Sequence, residues 1–276
     1  MRVHHLNCGT HCPLGGALLD GASRGLLATI PTHCLLIETA SSGLVLVDTG
    51  YGLEDVRRPH ARLPWLWPAI LNARLHERAT AVRQVGALGF AARDVRHIVL
   101  THLDFDHAGG LEDFPHARVH VMAAEREAAE NVRKSFVGHQ RYRRKQWDGV
   151  QAWSAYGGGG EPWLGFDAVR DLDGLPPEIL MVPLRGHTLG HAGVAVQSDR
   201  GWMLHAGDAY LHHCQMAMPR PGMPPGLGLY ERIMDSDRSA RRLNQDRLRQ
   251  LRRQHADIVV FCAHDAKELA ALQDRG

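Results

Sequence analysis

The sequence lacks the long apolar runs and the one-sided charge that mark whole classes of proteins. No stretch of its 276 residues approaches the ~18 consecutive apolar residues that a membrane helix needs. Its formal net charge is only +2, with 32 basic and 30 acidic residues. This balance favours neither a nucleic-acid-binding protein nor an acidic tail. We therefore expect neither a membrane nor a nucleic acid among its partners.

Cysteines are also few, and their arrangement argues against the disulfide framework of small secreted domains. The chain has five, which are scattered over its length: Cys8, Cys12, Cys34, Cys214 and Cys262. The first residues, Met1-Arg2-Val3-His4-His5, lack the apolar core of a signal peptide. We therefore expect a cytoplasmic protein with reduced thiols. Cys8 and Cys12 form a C-x3-C pair beside His11, but a single pair is weak support for a zinc site.

Short apolar runs in the first half of the chain predict strands that alternate with helices. Two of them, residues 33–38 and Leu44–Val47, are separated by Ser41-Ser42-Gly43, which predicts a hairpin. Apolar residues recur at helical spacing over residues 77–88. Further strands are predicted at residues 95–100 and 119–121, and a helix at 123–133. Proline and tryptophan make residues 51–76 an irregular insertion with short helical pieces.

The second half continues this alternation within what we expect to be one domain. Residues 138–165 are polar, aromatic and glycine-rich, so they predict a lid or insertion. Four strands are predicted at residues 179–183, 193–197, 202–205 and 258–262. A helix is predicted at 239–254, with its arginines on a solvated face. This order predicts an α+β fold with two sheets packed face to face and helices outside. No segment reads as an interdomain linker, so residues 1–276 are predicted to form a single domain with two insertions.

Histidine is abundant, and its placement predicts a metal site. The chain has 19 histidines, and histidine is the commonest metal ligand. At five places His or Asp directly follows a predicted strand, beside glycine or another small residue: Asp48, His102 to His107, His187, Asp208 and His264. Strand ends present side chains to a cleft. Asp104 and Asp106 would repel each other unless a cation or proton lay between them, although an exposed acidic loop without a ligand is the alternative.

The segment Thr-His-Leu-Asp-Phe-Asp-His-Ala-Gly-Gly, residues 101–110, resembles the His-x-His-x-Asp-His-x-Gly-Gly signature of the metallo-β-lactamase superfamily. The supporting motifs Leu-Val-Asp-Thr-Gly, Gly-His-Thr-Leu-Gly-His, Gly-Asp and a late His follow that family's order. The segments Ile-Pro-Thr-His-Cys-Leu-Leu-Ile-Glu-Thr and His-Leu-Asp-Phe-Asp-His-Ala-Gly-Gly look most like the N-acyl-homoserine lactonase branch. The resemblance implies a four-layer αββα sandwich with the metal site at one edge of the two sheets.

The resemblance also implies a ligand set for two divalent metal ions, with zinc as the default. The first metal would be held by His102, Asp104 and His187. The second would be held by Asp106, His107 and His264, and Asp208 would bridge the two. Asp48 would orient site groups through hydrogen bonds. His191 has no ligand role in the family pattern and is interpreted as structural.

Two departures from the family pattern concern Asp104 and Tyr210. Asp104 stands where the signature has its second His; a carboxylate is harder than imidazole, which would make the first site more tolerant of manganese or iron. The change could also weaken the binding of the first metal. The lactonase tyrosine thought to contact the substrate carbonyl lies three residues after the bridging Asp, whereas Tyr210 lies two residues after Asp208.

These features predict a dinuclear hydrolase that opens a lactone or cleaves an ester through a metal-bridged hydroxide. Asp106 and Tyr210 are the predicted catalytic residues, as proton acceptor and hydrogen-bond donor. A glyoxalase II-like thioesterase is the alternative hydrolase, and a di-iron redox protein is the alternative from another class. We expect a small-molecule substrate with an ester-like carbonyl, and leave a homodimer open. Five tryptophans of the two insertions are candidates for a wall around an acyl or aryl group: Trp65, Trp67, Trp147, Trp153 and Trp163.

Overall fold

A computed structural model describes residues 1–132, 136–157, 160–167 and 172–274. Its larger sheet has six strands in chain order: β1 (Arg2–His11), β2 (Ile30–Glu38), β3 (Leu44–Val47), β4 (Val95–Val99), β5 (Arg118–Met122) and β6 (Trp153–Tyr156). The pairs β1·β2 and β2·β3 are antiparallel, and the pairs from β3 to β6 are parallel. Consequently β1, β3 and β4 run in the same direction and end at the same edge of the sheet.

The second sheet has four strands, and a separate two-stranded ribbon precedes it in the chain. The ribbon is β7 (Pro162–Trp163) with β8 (Phe166–Asp167). The sheet has the order β12-β11-β10-β9, formed by β9 (Ile179–Pro183), β10 (Ala192–Ser198), β11 (Gly201–His205) and β12 (Val259–Phe261). β10 is antiparallel to both β9 and β11, and β11 is parallel to β12. The strands β9, β11 and β12 therefore share one direction.

Helices cover the outer faces of the two sheets and connect the strands. They are α1 (Ala17–Asp20), α2 (Leu53–Arg57), α3 (Pro59–Arg62), α4 (Trp67–Ile70), α5 (Ala81–Ala87), α6 (Ala123–Glu130), α7 (Phe136–Arg141), α8 (Pro225–Met234), α9 (Arg238–Gln254) and α10 (Ala266–Gln273). Single 3₁₀ turns lie at Glu77–Ala79, Ala92–Asp94, Leu111–Asp113, Arg144–Gln146 and His213–Met216. Among the described residues, no helix is long and apolar enough to cross a membrane.

The alternation of side chains along the strands explains the layers. In β3, Leu44 and Leu46 pack in an apolar cluster with α5 and α6, while Val45 and Val47 face the second sheet. Because both faces are covered, the strand is a continuous apolar run. On the far side of the second sheet, Leu248 and Leu251 of α9 pack against strand residues. The result is the expected αββα sandwich.

Most predicted elements are present, and the differences concern polar segments. Residues 51–76 form three short helices, as expected. Residues 138–165 were predicted to lie outside the core, which is wrong in part: β6 extends the larger sheet, and Gln146 and Trp147 are buried. Gly158 and Gly159 of that segment lie outside the described residues, as do Arg133, Lys134 and Ser135. Arg241, predicted on a solvated face, is buried and paired with Glu231 and Asp235.

Substitution of Gly190 tests how closely the loop after β9 approaches α6. A Cβ at this position would lie 2.0 Å from the backbone nitrogen of Glu125. We expect Gly190→Ala to cost about 1–3 kcal/mol through overpacking, which lowers Tm by several degrees. Gly86→Ala is the control, since a Cβ in this helix meets no atom within 4 Å and alanine favours the helix. Equal Tm values for the two variants in calorimetry would contradict this account.

Candidate metal centre

Three strands of each sheet, which run in one direction within that sheet, deliver the polar residues of the site. The larger sheet contributes the ends of β1, β3 and β4, and the smaller sheet contributes the ends of β9, β11 and β12. The residues at or after these ends are His11, Asp48, residues 102–107, His187, Asp208 and His264. The site therefore lies where one edge of each sheet meets the other, as the strand-end pattern predicted.

One cluster contains His102, Asp104 and His187. The Oδ2 atom of Asp104 lies 3.0 Å from Nε2 of His187 and 3.5 Å from Nε2 of His102. The Oδ2 atom of Asp208 lies 3.5 Å from Nε2 of the same His187. His102 and His187 are fully buried, and the two carboxylates nearly so. These are the residues predicted for the first metal, and the structure brings them together.

The second cluster contains His107 and His264, with Asp106 at its side. The Nε2 atoms of the two histidines lie 3.3 Å apart. Asp208 contacts both rings, with Oδ1 at 3.4 Å from His107 and Oδ2 at 3.2 Å from His264. Asp106 Oδ2 lies 3.7 Å from His264 Nε2. Because Asp208 also approaches the first cluster, it has the position of a bridging ligand.

The donor atoms of these clusters fit divalent cations. Among the described residues, His102 Nε2 and Asp208 Oδ1 are buried without a hydrogen-bond partner. A buried polar atom that lacks a partner is costly, and a cation bound at that atom would remove the cost. Imidazole nitrogens and carboxylate oxygens are ligands that zinc accepts. The residues present therefore suit two neighbouring metal positions.

The electric field of the site is negative, as a cation site requires. Burial disfavours charge on His107, but the carboxylates of Asp208, Asp48 and Asp106 outweigh it and raise the pKa of His107 to about 10. Although burial alone would raise the pKa of Asp208, the charges of His264 and His107 hold it well below its ordinary value. Both shifts show that positive charge is strongly favoured between these groups.

Hydrogen bonds on the outer side fix the orientation of the rings. Asp48 Oδ2 accepts from His107 Nδ1 at 2.8 Å, and its Oδ1 accepts from the backbone nitrogen of Thr101 at 2.8 Å. His264 Nδ1 donates to the Pro31 carbonyl at 2.7 Å. These bonds leave the Nε2 atoms directed toward the clusters, which is how metal-binding histidines are usually held. Asp48 thus occupies the orienting position that the sequence predicted.

His191 supports Asp208 through the backbone, in agreement with its structural interpretation. Its Nδ1 donates to the Leu184 carbonyl at 3.0 Å, and its Nε2 accepts from the backbone nitrogen of Asp208 at 2.9 Å. Both nitrogens are therefore used, so the ring has no free lone pair for a metal. Burial lowers the pKa of His191 well below its ordinary value, which keeps Nε2 available as an acceptor.

Glu125, at the start of α6, joins the two loops that carry the first cluster. Its carboxylate accepts from the backbone nitrogens of Leu103 at 3.0 Å and Gly190 at 3.1 Å, and from the hydroxyl of Thr188. It is fully buried. Hydrogen-bond donors from both loops offset the cost of burying this carboxylate, so both loops are held in register.

His11 is a site residue that the sequence analysis placed elsewhere. It was considered only with Cys8 and Cys12, but its Nε2 lies 3.6 Å from Asp106 Oδ2 and 2.9 Å from the Tyr51 hydroxyl. It is the last residue of β1, which ends at the same edge as β3. The strand-end pattern would have found His11 if β1 had been predicted. The five cysteines are free thiols.

The structure does not bring Tyr210 to the metal residues. Its ring is fully buried, and its hydroxyl donates to the carboxylate of Glu268 at 3.0 Å. The catalytic role expected for Tyr210 is therefore not supported by its geometry. Tyr230, on α8, instead lines a cavity that also contains His11 and His264. No sequence pattern pointed to Tyr230, because the glycines and prolines before it did not predict a helix.

This cavity is apolar and has a volume of about 650 Å³. Its walls include Leu14, Leu27, Trp67, Ile70, Leu71 and Leu227. Of the five tryptophans proposed as a wall, Trp67 is the one in this lining. Trp147 and Trp163 are buried in apolar clusters, and Trp65 is exposed. The wall expected from the tryptophans is thus formed mainly by leucine and isoleucine.

Comparison with known proteins agrees with this geometry. The profile of the metallo-beta-lactamase superfamily matches residues 27–264. The chain belongs to the metallo-beta-lactamase superfamily. By family the chain is therefore a metallo-hydrolase. The resemblance to this superfamily that residues 101–110 indicated is confirmed.

Relatives within the superfamily extend over most of the chain. A "Probable metallo-hydrolase" of Mycobacterium tuberculosis is 42% identical over 266 residues, which are 96% of this chain and 80% of the relative. An N-acyl homoserine lactonase of Bacillus thuringiensis is 25% identical over 230 residues, 79% of this chain and 82% of that protein. A solved structure of an N-acyl homoserine lactone hydrolase with its product at the catalytic metal center has a TM-score of 0.73 and 20% identity. It covers 98% of this chain and 95% of the hydrolase, which shows that the two share the superfamily fold.

Asp48→Asn tests whether the orienting hydrogen bond to His107 matters for metal binding. Asparagine tolerates the positive φ of 57° at this position, so the change removes mainly the charge. We expect zinc affinity to fall about 10–100-fold, as for other partners of metal-binding histidines. Competition with a chromophoric chelator measures it. The exposed Asp257→Asn serves as the control, and equal affinities in the two variants would refute the role.

Proposed function

We propose that this chain is a dinuclear metal-dependent hydrolase that opens a lactone or cleaves an ester. The observation that carries the proposal is the pair of ligand clusters that share Asp208 and adjoin the apolar cavity. His264 belongs to the second cluster and also lines the cavity. A carbonyl group at this junction would meet the metal residues, while an attached acyl group would occupy the apolar space.

The proposed metal ligands are those predicted from the sequence. His102, Asp104 and His187, whose ligand atoms lie together, would hold the first cation. Asp106, His107 and His264 would hold the second, with Asp208 between the two, and His11 lies beside Asp106 and His264 as a further ligand-type side chain. Two divalent cations, which we expect to be zinc, supply Lewis acidity that activates water near neutral pH and polarises a carbonyl oxygen. Asp104 leaves manganese or iron as alternatives at the first position.

Two side chains of the site are proposed to handle protons. Asp106 is the most exposed of the three cluster carboxylates, at 8%, and we assign it the role of proton acceptor. Burial, together with the carboxylates of Asp106, Asp208 and Asp104, raises the pKa of Tyr230 well above its ordinary value. The hydroxyl of Tyr230 therefore stays protonated and can donate a hydrogen bond to the developing oxyanion or the leaving oxygen.

The test is turnover of a substrate panel by the metal-loaded protein. The panel contains acyl-homoserine lactones, aryl esters, a glutathione thioester and a phosphodiester. We expect lactones or esters to be cleaved, with kcat/KM rising about fourfold per added CH₂ until the cavity is filled. Removal of metal with a chelator should abolish the activity, and zinc should restore it. Cleavage of the thioester alone would favour a glyoxalase II-like enzyme, and no cleavage of any lactone or ester would refute the proposal.

Tyr230→Phe tests the proposed donor. Loss of one preorganised hydrogen bond to the oxyanion should lower kcat about 10–100-fold with little change in KM. Tyr210→Phe is the matched variant, because that hydroxyl binds Glu268 rather than facing the cavity. It should alter thermal stability but leave kcat near that of the wild type. A loss of kcat in Tyr210→Phe alone would assign the hydrogen-bond donor to Tyr210 instead of Tyr230.

A further inference from the structure

A buried arginine lies against the residue at which the chain departs from its family signature. Arg141 ends α7 and is only 2% exposed. Its Nε lies 2.9 Å from Asp104 Oδ1. Its Nη1 donates to the His187 carbonyl at 3.0 Å, and its Nη2 lies 3.0 Å from His187 Nε2. The guanidinium group therefore contacts two of the three residues of the first cluster.

The contacts divide the two oxygens of Asp104 between different partners. Oδ1 faces the guanidinium group of Arg141, whereas Oδ2 faces His187 at 3.0 Å and His102 at 3.5 Å. The planar guanidinium group holds a carboxylate in one orientation better than an ammonium group does. Oδ1 is thus held by the ion pair with Arg141, although the two atoms are not aligned as a hydrogen bond, and Oδ2 is left facing the two histidines.

The charges of the pair cancel. A neutral histidine at position 104 would bring no charge to the first cluster, whereas Asp104 brings one negative charge and Arg141 one positive charge. A buried guanidinium group without a partner is strongly unfavourable, so Arg141 suits a chain that carries Asp104 and does not suit one that carries histidine there. Its other hydrogen-bond acceptors among the described residues, the His187 carbonyl and the Ser236 hydroxyl, are uncharged, and the carboxylate of Glu125 acts on it less strongly than Asp104 does.

We propose that Arg141 is a positioning residue that makes Asp104 a substitute for the signature histidine. The pair presents a single oxygen, Oδ2, to the first cation and has the net charge of a neutral imidazole. This inference rests on the metal centre of the proposed function but not on its reaction. It predicts that the two residues are interdependent. Substituting either residue alone weakens binding of the first metal, and substituting both restores it.

A double-mutant cycle tests this interdependence. The metal-free wild type, Asp104→His, Arg141→Gln and the double variant are titrated with Zn²⁺, and bound equivalents and affinities are measured by elemental analysis and chelator competition. We expect two equivalents in the wild type and about 10–100-fold weaker binding of one of them in each single variant. In the double variant, both affinities should return to within about threefold of the wild type, since no charge is left unpaired.

Arg143→Gln is the matched control, because Arg143 lies on the same segment and donates to the Arg62 carbonyl instead. It should bind zinc like the wild type. Circular dichroism of each metal-free variant verifies folding. If Arg141→Gln does not fold, Arg141→Lys takes its place and should keep the charge while losing part of the affinity, because it lacks the second contact to His187.

Three results would overturn the proposal. Wild-type zinc affinities in Arg141→Gln would remove any role for the arginine. A double variant no better than Asp104→His would show that the residues act independently. A wild type that binds one equivalent and gains a second in Arg141→Gln would show that the guanidinium group excludes the first metal. All three are measured without substrate, so they are separate from a failure to hydrolyse esters.

Discussion

The rest of this structure depends on one constraint, which is that four aspartate carboxylates are buried close to one another. Asp48, Asp104, Asp106 and Asp208 are all at most 8% exposed, and they converge where six strands end. In a region of low dielectric such charges repel strongly unless positive charge or hydrogen-bond donors surround them. The neighbouring residues supply both. Imidazole rings surround Asp208, Arg141 faces Asp104, and Asp48 accepts three hydrogen bonds from Thr101 and His107.

The two halves of the centre meet this constraint differently. The first cluster has an aspartate where its signature has histidine, and a guanidinium group from α7 balances it. The second cluster has an additional imidazole nearby, from His11 at the end of β1. Thus a helix outside the sheets affects the charge at the first cluster, and the end of an edge strand affects the charge at the second. His11 and the residues that follow β1, Pro13 and Leu14, also line the apolar cavity, so charge balance at the second cluster and the space for a substrate share one part of the chain.

Strands and site residues could be predicted from the sequence wherever a local pattern of residues indicated them. Leu44–Val47 is apolar throughout because both of its faces are covered, and the seven proposed ligands follow such runs directly. The polar strand β1 gave no such pattern, and its pairing with β2 is a tertiary contact. Arg141 lies in a polar segment whose burial depends on contact with Asp104 and His187, which a local pattern cannot show. Tyr210 has nearly the expected sequence spacing from Asp208, but its hydroxyl donates to Glu268. The spacing of two residues in the sequence does not predict where a side chain points.

The ring of His264 connects the late part of the chain to the beginning, because it donates to the carbonyl of a residue 233 positions earlier, Pro31. During synthesis on the ribosome, the first sheet and residues 101–107 emerge long before this histidine does. Until then, its cluster lacks one imidazole and the carbonyl of Pro31 lacks its donor. Contacts between such distant residues form late and slowly. The complete set of clustered side chains consequently assembles only after His264 has left the ribosome, and a shorter nascent chain would expose these carboxylates to the surrounding cations.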